Sequence, residues 1–281
     1  MIETGIVFGL TAGLAWGTGD FLGGWNSRKL PSTTVAFWAQ ATSLLLLGAI
    51  VLATRPGWNG AAFGWGLLAG VFTGSGGVSL YRGLATGNAS VVAPLSALGA
   101  VIPVGAAVVR GEPPEAMAWP GIGLALAGIV LVSIPGEGAS FRSAAHMGPI
   151  LMGLGAALGF GLFFVVVEQG TQTGAPEIVV VLGSRMGAAA FLGASALAGG
   201  IQRPGRMLPG LAALGVIELT ANGAFALAST RGNLAVISVL SSLYPVVTVA
   251  LARLFTNERL TPARIGGATM ALAGAALISA A

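Results

Sequence analysis

Leu124-Ala-Leu-Ala-Gly-Ile-Val-Leu-Val-Ser133 is written a second time as Met270-Ala-Leu-Ala-Gly-Ala-Ala-Leu-Ile-Ser279, with six of ten positions identical at an offset of 146. Three further correspondences keep almost the same spacing. Glu112 answers Glu258 at 146, Gly87-Asn88 answers Gly232-Asn233 at 145, and Gly9-Leu-Thr-Ala-Gly-Leu-Ala-Trp-Gly17 answers Gly153-Leu-Gly-Ala-Ala-Leu-Gly-Phe-Gly161 at 144. Ala/Leu/Gly text aligns easily by chance, but four matches at nearly one offset mark an internal duplication. The two halves are residues 1–136 and 145–281.

Both copies are apolar throughout. Of the 281 residues, 55% are hydrophobic and only 8% charged, where a soluble domain carries about 25%. So few charges cannot cover a water-exposed surface, and the mean hydropathy of +0.88 agrees. The bilayer is the expected solvent. A soluble enzyme, a nucleic-acid reader and a disordered chain are excluded. The 13 Lys and Arg stand singly between apolar runs, as topology signals do, and form no nucleic-acid patch. With no cysteine there is no disulfide or thiolate chemistry, and the single histidine, His146, cannot build a His-based metal site alone. No cofactor is implied. Residues 1–24 have no basic start, so they read as a permanent membrane helix and not as a cleaved signal.

A bilayer crossing takes about 20 apolar residues. Polar, Pro and Gly breaks divide the chain into ten candidate spans, at 4–24, 33–53, 61–84, 89–109, 117–134, 147–168, 177–198, 208–229, 233–255 and 262–280. The predicted fold is an all-α polytopic membrane protein. Five helices per half is odd, so the second half enters from the opposite side, giving two inverted five-helix repeats; in secondary transporters of this plan the site lies where the halves meet. Pro94 and Pro103 interrupt the fourth span and Pro245 the ninth, leaving open an ordinary kink or a functional bend. Gly5, Gly9, Gly13 and Gly17, and Gly66, Gly70 and Gly74, recur every fourth residue, a small face for close helix packing.

Ala15-Trp16-Gly17 on the first span, Leu-Ala-Leu-Ala-Gly at 124–128, Ala-Leu-Ala-Gly at 271–274, Gly111-Glu112 and Asn257-Glu258 together resemble the drug/metabolite transporter superfamily, in particular its EamA-like members. The resemblance covers nearly the whole chain. It implies export or exchange of small metabolites, often amino acids, across a bacterial cytoplasmic membrane. It also implies an arginine early in the second helix of each half. Here the second half has Arg185, but the first has Gln40.

An intramembrane charge costs about 2.5–3.5 kcal/mol on insertion scales, so one that is retained has a task or a partner. Arg185 and Glu218 lie on neighbouring antiparallel spans at similar depth. They can form a permanent ion pair, or Arg185 can hold a substrate carboxylate while Glu218 takes an amine or a proton. Glu218, Asn222 and Phe225 share one stripe of the eighth span, and Ser238, Ser241 and Pro245 one of the ninth. Their hydroxyls can face a wet cavity or bond their own helix. Trp16, Phe160 and Tyr244 are deep enough for a cavity wall, whereas Asp20, nearer its helix end, reads as an interfacial carboxylate. The candidate substrate-binding residues are therefore Trp16, Gln40, Phe160, Arg185, Glu218, Asn222, Ser241 and Tyr244.

Gly17-Thr-Gly19 and Gly74-Ser-Gly76-Gly77 follow no strand and lead to no Lys-Ser/Thr, so they are not phosphate loops. Energy is expected from a gradient or from exchange. The expected partners are a small-molecule substrate and lipid, with no nucleic acid, and the chain is expected to be a monomer or weak homodimer. The rival activity is proton-coupled export of cationic drugs through Glu218. Counting basic residues by side gives three with the termini (Arg55, Arg110, Arg231) against nine opposite, which predicts outside termini, whereas the resemblance implies cytoplasmic ones.

Overall fold

In the computed structural model, which describes residues 2–85, 92, 95–133, 147–196, 200–256 and 261–280, the regular elements are all helical. They are α1 (Ile2–Ser27), α2 (Ser32–Thr54), α3 (Gly60–Ala85), α4 (Val101–Val109, entered through a 3-10 turn at Leu98–Ala100), α5 (Ala118–Ser133), α6 (Met147–Thr171), α7 (Glu177–Ala196), α8 (Leu208–Ser229), α9 (Leu234–Ser241), α10 (Tyr244–Thr256) and α11 (Pro262–Ala280). Six stretches have the length and apolarity of a bilayer crossing, among them Ser32–Thr54, Ile150–Thr171 and Leu234–Phe255; Leu95–Val109, Ala118–Val132 and Pro262–Ile278 are apolar but shorter. His146, Pro94, Gly87-Asn88 and Glu258 lie outside the described residues.

The ninth expected span is interrupted, and proline explains where. A proline ring clashes with the carbonyl four residues earlier and offers no N–H. Four residues before Pro245 is Ser241, the last residue of α9, and the chain turns through Ser242 and Leu243 before α10 begins. Four residues before Pro103 is Gly99, inside the 3-10 turn ahead of α4. Both helices thus lose regular α geometry about four residues before a proline.

The glycine faces are packing surfaces. A Cβ on Gly5 would sit 2.9 Å from the Arg231 carbonyl oxygen, and one on Gly13 would sit 3.0 Å from that of Leu240, so α1 lies backbone to backbone along α9. Gly66 and Gly70 do the same against Val180 and Ser184 of α7. With lipid outside, such close approach is how helices gain packing energy.

Helix neighbours exchange between the halves as a two-fold relation requires. α3 packs on α7 as α8 packs on α2; α3 packs on α6 as α8 packs on α1; α6 packs on α4 as α1 packs on α9 and α10. The closing helices α5 and α11 pack on each other. Gly121 meets Gly274 and Ile278, whereas Gly128 meets Gly267 and Ala271, so these equivalent helices run antiparallel.

A candidate solute cavity between the repeats

Glu218 projects from α8 toward α1, where Gly19 makes room for it: a Cβ there would stand 2.8 Å from Glu218 Oε1. One turn nearer the start of α1 is Trp16, which meets Phe163 and Phe164 of α6 edge-on at centroid distances of 5.9 and 5.7 Å and Phe225 of α8 at 5.8 Å. Such aromatic pairs contribute roughly 0.5–1.5 kcal/mol each beyond area burial. Together they close the space below Glu218. Above this floor lies a cavity of about 180 Å³ lined by α1, α2, α3, α6, α7, α8 and Tyr244 of α10, so both repeats supply its wall. The break after Ser241 sets the start of α10, and Tyr244 with it, on the cavity.

Six of the eight candidate residues line this space: Trp16, Gln40, Phe160, Arg185, Glu218 and Tyr244. Asn222 and Ser241 do not. Asn222 is buried and its side-chain amide donates to the Glu218 carbonyl oxygen of its own helix at 2.8 Å. Ser241 is buried, and its hydroxyl donates across to the Gly9 carbonyl oxygen at 3.2 Å, joining α9 to α1. Three lining residues were not among the candidates although the sequence carried a signal for them. Asp20 shares the face of Trp16, and it is exposed on the cavity wall. Phe163 and Phe164 stand one turn from Phe160.

Of the two expected alternatives for Arg185, the permanent ion pair with Glu218 is not formed. Arg185 and Glu218 line the same cavity, but the ion pairs among the described residues are Arg110–Glu168 and Arg231–Glu177. Arg185 Nη1 instead donates to Gln40 Oε1 at 3.0 Å, and Gln40 Nε2 donates to the Arg185 carbonyl oxygen at 2.6 Å. These two residues are 145 apart, the repeat offset, so equivalent positions of α2 and α7 touch each other. Two arginines facing across this contact would repel. A carboxamide accepts from the guanidinium with its oxygen and donates with its nitrogen. The departure from a symmetric arginine pair therefore has a local chemical reason.

A second polar cluster occupies the end where α1 begins. Arg110, which caps α4, reaches Glu168 of α6 at 2.6 Å; Glu168 is only 3% exposed. Gln172 donates to Glu168 Oε1 at 3.1 Å, and Thr171 and Ser229 share a hydrogen bond of 2.9 Å between α6 and α8. Arg231 reaches Glu177 at 3.4 Å and lies over the Phe8 ring, 5.5 Å from its centre. Gly111, at φ +78°, turns the chain after α4 so that the next carbonyl oxygen, that of Glu112, accepts from Asn233 at 2.9 Å. Asn233 also caps α9. The Arg110–Glu168 and Asn233–Glu112 contacts tie the two repeats together at this end.

The sequence profile of the EamA-like transporter family matches residues 3–134 and again 147–280. The chain belongs to the EamA-like transporter family, as two tandem copies of its repeat, and is a multi-pass membrane protein of that family of transporters. A solved crystal structure, described only as that of a protein, superimposes with a TM-score of 0.75 at 20% identity, over 97% of this chain and 95% of its own. At that identity the likeness concerns the fold. No curated protein matches the sequence.

Proposed function

We propose that this protein is a secondary transporter of the bacterial cytoplasmic membrane that exports or exchanges small amphipathic metabolites, amino acids among them, by alternating access. In this reading ten spans form two inverted five-helix repeats, residues 1–136 and 145–281, and the cavity between them holds the solute. The single observation that carries it is a mostly apolar cavity lined by both repeats, into which a few polar groups converge: Gln40, Arg185, Asp20 and Glu218, on an aromatic floor. A chamber between inverted repeats is where this architecture places its substrate. The antiparallel run of α5 against α11 supports the inversion, and the tied end beside the cavity supports a gate.

A second reading, proton-coupled export of cations, gains from one observation. Glu218 is not alone: Asp20 lines the same cavity. A proton or an organic cation is the natural partner for such carboxylates.

The test is counterflow in proteoliposomes preloaded with a mixture of amino acids and amines, with and without a pH gradient. The expected result is labelled-solute entry above empty liposomes, lost in Glu218→Gln. No flux for any member of the panel, from protein that is monodisperse and folded, overturns the transporter reading.

A further inference from the structure

The charged side chains among the described cavity residues are Asp20, Glu218 and Arg185. Counted with every group ionised, two carboxylates against one guanidinium leave one formal negative charge. The guanidinium is partly engaged, because Nη1 is held by Gln40, while Nε is buried with no described acceptor. Among the described residues neither carboxylate takes part in an ion pair or a side-chain hydrogen bond. Around them stand Trp16, Phe160, Phe163, Phe164 and Tyr244. Charge withdrawn from bulk water is tolerated when it is paired, and the half-buried Glu218 carboxylate has no ion-pair partner among the described residues. Aromatic faces add attraction for a cation and a surface for an apolar body.

Resting on the reading of this cavity as the solute site, we propose that it selects amphipathic solutes with one net positive charge, the ammonium seated between Asp20 and Glu218, and that Gln40 is a specificity-determining residue. Gln40 occupies the position equivalent to Arg185 and touches it. A second arginine there would bring the chamber to zero net charge and remove the electrostatic preference for a cation. The neutral carboxamide keeps the balance negative and holds the single guanidinium against α2.

The test is equilibrium binding to purified protein at pH 7, read by isothermal calorimetry, with three solutes that share a phenyl body and differ in charge: phenethylammonium, zwitterionic phenylalanine and 3-phenylpropanoate. The expected order is cation first, zwitterion second and anion last, with at least about tenfold between the ends, about 1.4 kcal/mol. In Gln40→Arg the cation is expected to lose at least tenfold and the anion to gain. Asp20→Asn, at an exposed side chain without described partners, gives a second route to the same loss. If Gln40→Arg does not fold, Asp20→Asn decides. Anion binding equal to or tighter than cation binding in the wild type overturns the proposal, as does no binding of any of the three. A folded Gln40→Arg with unchanged order removes Gln40 from specificity. Cation-selective binding without counterflow sinks the transport reading but leaves this inference standing. Counterflow with an anion preference does the reverse.

Discussion

At the end where α1 begins, Arg110 meets Glu168 and Arg231 meets Glu177, whereas at the cavity Asp20 and Glu218 form no ion pair among the described residues, although Arg185 lines the same space. The same kinds of groups are therefore used in two ways. Paired charges tie helices together: α4 to α6 across the two repeats, and the start of α7 to the end of α8 within the second. Unpaired charges face space that a solute can enter. The aromatic group of Trp16, Phe163, Phe164 and Phe225 divides the two regions. The positions equivalent to the tied end explain the asymmetry. At the offset of 144 that relates α1 to α6, Glu168 corresponds to Gly24, which has no side chain to pair.

The contrast is broken most severely by Arg110→Met. It strands the Glu168 carboxylate in a site that is 3% exposed, and loss of one partner of a buried pair costs about 3–5 kcal/mol. Denaturant titration in detergent micelles is expected to show that loss, with recovery in Arg110→Met/Glu168→Met; a loss under about 1 kcal/mol makes the pair incidental. Next is Gly159→Val. A Cβ there already meets Gly76 Cα at 2.7 Å, and forcing α6 from α3 is expected to cost about 1–3 kcal/mol, read in the same titration. Ser241→Ala removes the hydroxyl that α9 gives to Gly9 of α1. Membrane hydrogen bonds of this kind are worth about 0.6 kcal/mol, at most about 1.7, so a small shift with flux retained is expected; abolished flux at full stability returns Ser241 to the solute site. Arg231→Gln breaks the partly exposed pair with Glu177 and is expected to cost about 0–1 kcal/mol, diminishing with salt. The smallest effect on stability is expected for Asp20→Asn, which removes an unpaired charge: melting unchanged or slightly raised, although cation binding falls. Marked unfolding of that variant means Asp20 has a structural partner, and the contrast between the two ends fails.

Much of the site was legible before any coordinates. Trp16, Phe160, Arg185 and Glu218 stand out because aromatic and ionised groups deep in apolar text are costly or bulky there. Asn222 and Ser241 share the stripe periodicity of cavity residues, but periodicity gives a face and not what lies opposite it. Asn222 turns to its own helix, and Ser241 meets the glycine face of α1. Asp20 looked interfacial because depth along one helix was the sole guide; what opens beside it is set by α2, α3 and α8. Arg110 and Glu168 resemble ordinary charges at span ends until two helices distant in sequence are brought together.

Composition and the repeat offset by themselves determined a helical membrane protein made of two similar halves, because long apolar segments repeated at one spacing admit few other plans. Proline positions marked where the fourth helices fail, because ring sterics act within one turn. Only the tertiary structure decided which ionised groups meet. Gln40 and Arg185 lie 145 residues apart and hydrogen-bond at the contact of α2 with α7, while Arg185 and Glu218, on consecutive spans, do not pair. Partnership depends on the direction in which each helix face is turned, and that is fixed by packing across the repeat seam.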